Sequence, residues 1–311
     1  MPNQRTDPIV GAVPVLVMPF DENGAVDEDS LRRQIDFCVE AGSQAIAFGM
    51  GSESHMLTDA ERERVWSATA RHLNGGLPLI AATAHPSHEG VIALTRLARE
   101  CGADYAMVNP ETRAGEKLVA LFCDLSDRVG LPMMVQDAAG NAPADVLLRA
   151  VREAASVTCL KIESPGAPHK IGVLADGLRQ SGLGGGGERE ITVLGGSNGN
   201  LLPEELARGA VGALPHPALI DAFRTVCDRY AAGDTGGALD CYFRCILPLN
   251  RLVLAGGAAG GQIWMHKTIF LRAGILRSAH CRVPAAPQPD WAMEKIWAYL
   301  KAADLCISGR L

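Results

Sequence analysis

The sequence predicts a (β/α)8 TIM barrel over residues 1–218, followed by a helical extension over residues 219–311. Three observations carry this expectation. Short apolar runs alternate with longer amphipathic segments eight times in succession. The eight units take up about 220 residues, close to the roughly 250 typical of such a barrel. The apolar runs are nearly continuous, as parallel strands covered by helices require. A doubly wound sheet would alternate in the same way. However, no GxGxxG follows the first run and no GxxxxGK[ST] occurs, which counts against a nucleotide-binding version.

The elements follow in order. AVPVLVM (Ala12–Met18) reads as the first strand. The helix VDEDSLRRQIDFCVEAG places Leu31, Ile35, Cys38 and Val39 on one face and stops at Gly42. AIAFG (Ala45–Gly49) is the second strand; the next helix opens on Thr58 with Glu61 three residues on, a capping box. LPLIAAT (Leu77–Thr83) and the helix HEGVIALTRLARECG continue the rhythm, then DYAMVN (Asp104–Asn109) and a helix around Glu116–Arg128. LPMMVQ (Leu131–Gln136) precedes a helix around Ala144–Ala155. TCLKIE (Thr158–Glu163), ITVLGG (Ile191–Gly196) and GALP (Gly212–Pro215) complete the eight strands. SGLGGGGERE (Ser181–Glu190) has the composition of a surface loop. After Pro215 only helical patterns remain, and GALDCYFRCILPLNRLVLAGG reads as one long helix.

Composition narrows the function. A chain of 311 residues with 48% hydrophobic content can bury one large core. A net charge of -6 and a pI near 5.8 leave no footprint for nucleic acid or an anionic membrane. Pro8 and Pro14 interrupt the apolar N-terminal run, so it does not read as a signal peptide, and no stretch reaches the ~20 apolar residues of a membrane span. The nine cysteines form no CxxC pair, which suits reduced thiols in a soluble, cytoplasmic protein. Eight dispersed histidines, of which only His85 and His88 lie close, predict no metal site. No cofactor is expected.

In a barrel the chemistry sits at the C-terminal ends of the strands. Four such ends are small and polar: GMGSES (Gly49–Ser54), QDAAGN (Gln136–Asn141), KIES and GGSNGN (Gly195–Asn200). Lys161 is the sharp signal. Strand side chains alternate, so Lys161 and Glu163 share a face while Leu160 and Ile162 point the other way, toward packed helices. A lysine inside a barrel is stripped of water, which favours the free amine and its attack on a carbonyl. The competing reading is a structural ion pair with Glu163.

Several segments together resemble the dihydrodipicolinate synthase/N-acetylneuraminate lyase family. These are PFDENGAVDEDSLRRQIDFCVEAGSQAIAFGMGSES, LTDAERERV, GADYAMVNP, LKIES and CRVPAAP, spread from about Gly11 to Pro284. The resemblance implies a barrel with a C-terminal helical domain, a homo-oligomer (tetramer or dimer), and a Schiff base between the strand-six lysine and a pyruvate-type 2-oxo acid. Lys161 matches that lysine.

The departures are as informative. Gln136 and Asp137 stand where the family has a tyrosine–asparagine pair; Met50 and Gly51 replace two threonines; Thr112 replaces a tyrosine, and Asn141 an arginine. Gln136 has no proton to exchange near neutral pH. Glu163, Asp137 and a bound water are the candidates to replace the tyrosine as proton relay, Glu163 first because it shares a face with Lys161; His216 is a weaker one. The amides of Gly49, Met50, Gly51 and Ser52, with the Ser52 hydroxyl, are expected to hold the substrate carboxylate. Asn141, Gly196, Ser197 and Asn198 are expected to meet the rest of the substrate. The expected activity is therefore that of a class I lyase or aldolase. The alternatives are a dehydratase of a 2-keto-3-deoxy sugar acid through the same iminium, or a keto-acid sensor without turnover.

Overall fold

A computed structural model describes residues 7–111, 113–140, 142–184 and 189–311. In chain order its elements are β1 (Gly11–Ala12), α1 (Glu28–Glu40), β2 (Ile46–Ala47), α2 (Asp59–Leu73), β3 (Leu79–Ala82), α3 (His88–Glu100), β4 (Tyr105–Val108) and α4 (Glu116–Arg128). There follow β5 (Met133–Asp137), α5 (Ala144–Glu153), β6 (Val157–Ile162), α6 (Ala167–Gln180), β7 (Thr192–Gly195), α7 (Leu202–Leu206), β8 (Gly212–Ala213) and α8 (Ile220–Ala231). Four more helices close the chain: α9 (Thr235–Cys245), α10 (Leu247–Gly256), α11 (Gly261–Arg272) and α12 (Asp290–Ala302). Eight strands in strict alternation with helices, with a helical C-terminal part, make this a (β/α)8 TIM barrel.

By internal contacts the chain divides into two compact units, Met1–Val10 with Leu73–Leu214, and Gly11–His72 with Pro215–Leu311. The first holds a parallel ladder from β3 to β8, each strand paired with the next. Its strands are apolar on both faces: Met134, Val135, Leu160, Ile162 and Leu194 have no exposed surface. Each such side chain contributes about 1.5–3 kcal/mol by leaving water. Between β5 and β6 the register slips after Met133, so that Gln136 lies beside Lys161 and Asp137 beside Ile162. Neighbouring partners in a ladder point to the same face. That slip decides which polar groups meet the lysine.

The second unit holds β1 and β2 and the C-terminal helices. Asp27 caps α1 by accepting from the amides of Asp29 and Ser30, each at 3.1 Å. The capping box of α2 is present: Thr58 N donates to Glu61 Oε2 at 2.9 Å, and Glu61 N to Thr58 Oγ1 at 3.3 Å.

Two expectations are corrected here. The first strand is shorter than Ala12–Met18; beyond Ala12 only a bridge from Val15 to Ala47 persists, since Pro14 carries no amide to extend the ladder. The long helix expected over residues 237–257 is two, α9 and α10, broken at Ile246, where Pro248 can neither donate nor accommodate the preceding turn.

Candidate active site

Strand β6 delivers the central group. Lys161 is 5% exposed, and its Nζ lies 3.1 Å from Glu163 Oε1. The shared face read from strand alternation is therefore real. The neighbouring strand adds Gln136, whose Nε2 donates to the same Glu163 oxygen at 2.5 Å. The other oxygen, Oε2, accepts the Ser197 amide at 3.0 Å, while Ser197 Oγ donates to the Glu163 carbonyl at 3.2 Å. One carboxylate thus gathers a lysine, a glutamine amide and a backbone N–H from three successive strand ends.

The electrostatics follow from that list. Burial works against ionisation of Glu163, but the Lys161 charge and the Ser197, Gln136 and Lys161 hydrogen bonds outweigh it and hold the carboxyl below its ordinary range. Glu163 is a carboxylate at neutral pH, able to accept a proton. Gln136, which only donates here, fixes its orientation.

The turn after β7 is shaped for this contact. Ser197 and Asn198 adopt φ of 47° and 54°, the left-handed region that non-glycine residues avoid. Such strain costs on the order of 1–3 kcal/mol per residue and concentrates where a site needs it. Here it aims the Ser197 N–H at Glu163. Gly196 is required for space: a Cβ there would sit 2.4 Å from Glu163 Oε2 and 2.5 Å from its Cβ. Gly196→Ala is expected to push Glu163 off Lys161 and cut turnover about 100-fold, the scale of a 1 Å misplacement. Turnover assays with a melting curve check this; an active, folded variant would show the contact to be slack.

Asp137 does not join this group, which corrects its candidacy as a relay. It pairs in register with Ile162, on the helix side of the ladder. There Oδ2 accepts from Ser164 Oγ at 2.6 Å and from Lys170 Nζ on α6 at 2.7 Å. Asn141, like Thr112, lies outside the described residues.

In the other unit, the Gly49–Ser52 turn departs from expectation in one respect. Ser52 Oγ is fully buried; it donates to the Leu16 carbonyl and accepts the Gly49 amide at 3.1 Å. A hydroxyl has one hydrogen, so Ser52 has none left for a carboxylate. The Ser52 amide in turn donates to Gly49 O at 3.0 Å. The amides of Gly49 and Ser52 close the turn on itself, and those of Met50 and Gly51 are its remaining donors. Gly51 is packed against His216: a Cβ would meet the imidazole Cε1 at 2.5 Å. A threonine, which the resembling family carries here, would require the His216 ring to move. His216 stacks in turn on His266, with ring centres 4.8 Å apart.

One group of the first unit escaped the sequence reading. Glu205, on α7, is 1% exposed, and its Oε2 has no hydrogen-bond partner among the described residues. Burial, then the charges of Glu163 and Glu204, push its carboxyl up to about 8. In LLPEELARGA it reads as an ordinary charge on a solvated helix. Only the paired glycines before it hinted that something large must lie against them.

Comparison with known proteins agrees with this architecture. The Dihydrodipicolinate synthetase family model matches residues 8–158. The L-2-keto-3-deoxyarabonate dehydratase of Azospirillum brasilense is 28% identical over 297 residues, 90% of this chain and 89% of that one. A 4-hydroxy-tetrahydrodipicolinate synthase of Xanthomonas axonopodis pv. citri is 30% identical over 239 residues, covering 73% of this chain and 75% of its own. Among solved structures, dihydrodipicolinate synthase from Thermotoga maritima superposes with a TM-score of 0.85 at 21% identity, over 98% of this chain and 100% of that one. With its barrel, its strand-six lysine and a relative alike over three quarters of its length, the chain belongs to the dihydrodipicolinate synthetase family.

Proposed function

We propose that this protein is a class I lyase that forms a Schiff base between Lys161 and a 2-oxo acid of the pyruvate type, with Glu163 as its proton-transfer group. The observation that carries the reading is the buried Lys161 Nζ, 3.1 Å from a carboxylate oxygen at the end of β6. Glu163 takes a proton from the Lys161 nitrogen, whose lone pair attacks C2 of the oxo acid; the carbonyl oxygen then leaves as water, with one proton passed on from that nitrogen and the other returned by Glu163. The resulting iminium draws electrons from C3. Glu163 then takes a proton, either from C3, ahead of loss of the C4 hydroxyl, or from the C4 hydroxyl itself, with cleavage of the C3–C4 bond. The same carboxyl returns that proton to the departing hydroxide or to C3, and water then adds to the iminium carbon, releasing the 2-oxo product and freeing Lys161.

Two observations favour carbon–oxygen cleavage. The relay available is a carboxylate held ionised, suited to abstracting a proton from carbon beside an iminium. The dehydratase of Azospirillum brasilense is alike over 90% of the chain. Replacement of the tyrosine position by Gln136 supports a route other than dihydrodipicolinate synthesis.

Two experiments test the reading. Borohydride added with saturating pyruvate should increase the mass of the peptide bearing Lys161; no adduct would overturn it. A 2-keto-3-deoxy sugar acid should then lose water without fragmenting, whereas release of pyruvate would assign carbon–carbon cleavage. Glu163→Gln is expected to form the pyruvate adduct more slowly and to lose about 10²–10⁴-fold in turnover, the usual contribution of a positioned proton carrier.

We read the protein as a cytoplasmic homo-oligomer. The free cysteines support a reducing compartment, and Leu239 and Phe243 on α9, with Leu254 on α10, present apolar surface suited to another subunit. Among the described residues no helix is long and apolar enough to cross a membrane.

A further inference from the structure

We propose that Glu205 is a positioning residue of the site: while it carries its proton it holds the Gly195–Ser197 turn closed around Glu163, and it thereby sets the alkaline limit of the reaction. This rests on the reading of Lys161 and Glu163 above. The geometry is unusual in having two carboxyls flank one dipeptide. A Cβ on Gly195 would lie 1.8 Å from Glu205 Oε2, just as a Cβ on Gly196 would lie 2.4 Å from Glu163 Oε2. Successive glycines therefore clear room for both, one on the helix side of β7 and one beside Lys161. The turn that Glu205 packs against is the one whose Ser197 amide binds Glu163.

A leucine would fill the Glu205 position without leaving a polar atom unsatisfied. A buried carboxyl with an unpartnered oxygen is instead a cost that folds retain mainly where function needs it. The charges acting on Glu205 are Glu163, from the end of β6, and Glu204, on its own helix. On α6, Gly172 lies against the stem of Arg208, which follows α7. Burial is the larger influence and the Glu163 charge adds to it, so the two carboxyls are driven apart: Glu163 charged, Glu205 neutral.

The sign follows. A carboxyl whose pKa is raised on folding favours the closed arrangement while it is protonated, and that contribution is lost as pH rises. For Glu205 the loss runs from the unfolded carboxyl range up through about 8, above which the buried group is charged. A charged Glu205 must reach water, and in leaving it withdraws the packing against Gly195 that confines the turn carrying Ser197.

The test uses the full-length protein and pyruvate as the probe. The rate of borohydride-trapped adduct at Lys161 is followed from pH 6.5 to 9.5 in the wild type and in Glu205→Gln, and the ratio of the two is read. The ratio should be flat below pH 7 and fall about tenfold by pH 9, with Glu205→Gln the faster, because one ionisation with a midpoint near 8 leaves about a tenth of the protein protonated there. A ratio independent of pH overturns the proposal. If Glu205→Gln does not fold, hydrogen exchange of the wild-type Ser197 amide serves instead. Corrected for the intrinsic rate, its protection should drop through pH 8, and constant protection would equally overturn the idea. Absence of any adduct in the wild type at pH 7 would count against the Lys161 reading itself, which keeps the two failures distinct.

Discussion

Lys161→Met is expected to abolish the pyruvate adduct and to lower turnover at least about 10⁴-fold, the scale set by deleting a nucleophile that works as a unit with its partners. Methionine keeps the bulk of the stem and removes only the nitrogen, so packing against the β5–β7 ladder survives. Glu163 retains the Gln136 and Ser197 donors, which keeps the site assembled. Its carboxyl should nonetheless titrate higher than in the wild type, because the nearest cation is gone. The other lysine of this region cannot substitute: Lys170 Nζ is tied to Asp137 Oδ2, the Ala142 carbonyl and Ser164 Oγ, on the helix side of the strands. Turnover within tenfold of wild type in Lys161→Met, with a normal melting curve, would show that the reaction does not pass through this amine. A variant that binds pyruvate with unchanged affinity and no adduct would leave Lys161 as the only chemical loss.

How much of this was legible in the sequence depends on how local each cause is. Alternation along TCLKIE was enough to put Lys161 and Glu163 on one face, because the pleat acts over two residues. The capping box at Thr58 and Glu61 is equally local, and it formed. Asp137 was misjudged because Gln136 and Asp137 face opposite ways, and which of them lies beside Lys161 depends on a register slip between β5 and β6 that no single-strand pattern contains. The Ser52 hydroxyl was misassigned because its acceptor, Leu16 O, lies 36 residues away. Glu205 and Lys267 look alike in sequence, charged residues on helices. Lys267 is buried by Glu53, far along the chain, and Glu205 by Gly195 of the preceding strand, a packing that only the folded unit defines.

Lys267→Met is expected to cost about 3–5 kcal/mol of stability, the usual penalty for breaking a buried ion pair by removing one partner. Lys267 on α11 and Glu53 after the Gly49–Ser52 turn are both fully buried and directly bonded. Lys267 Nζ also donates to the His280 carbonyl at 2.6 Å, while Glu53 Oε1 accepts the amides of Arg282 and Val283 at 2.7 and 2.9 Å. The pair therefore straps residues 280–283 to the turn after β2, and the Phe20 ring lies under both Lys267 and Arg282, at 4.6 and 4.4 Å. With the ammonium removed, Glu53 keeps two amide donors but loses the cation bonded to it, and burying a carboxylate without that partner is costly. Glu53→Gln should be similarly costly, since it leaves the lysine charged and buried. The double variant Lys267→Met with Glu53→Gln should lose less than the sum of the two, because neither charge remains to be stranded. Denaturant midpoints for the four proteins decide it. Additive losses would mean that the two side chains act independently, and that the strap is held by its backbone hydrogen bonds rather than by the pair.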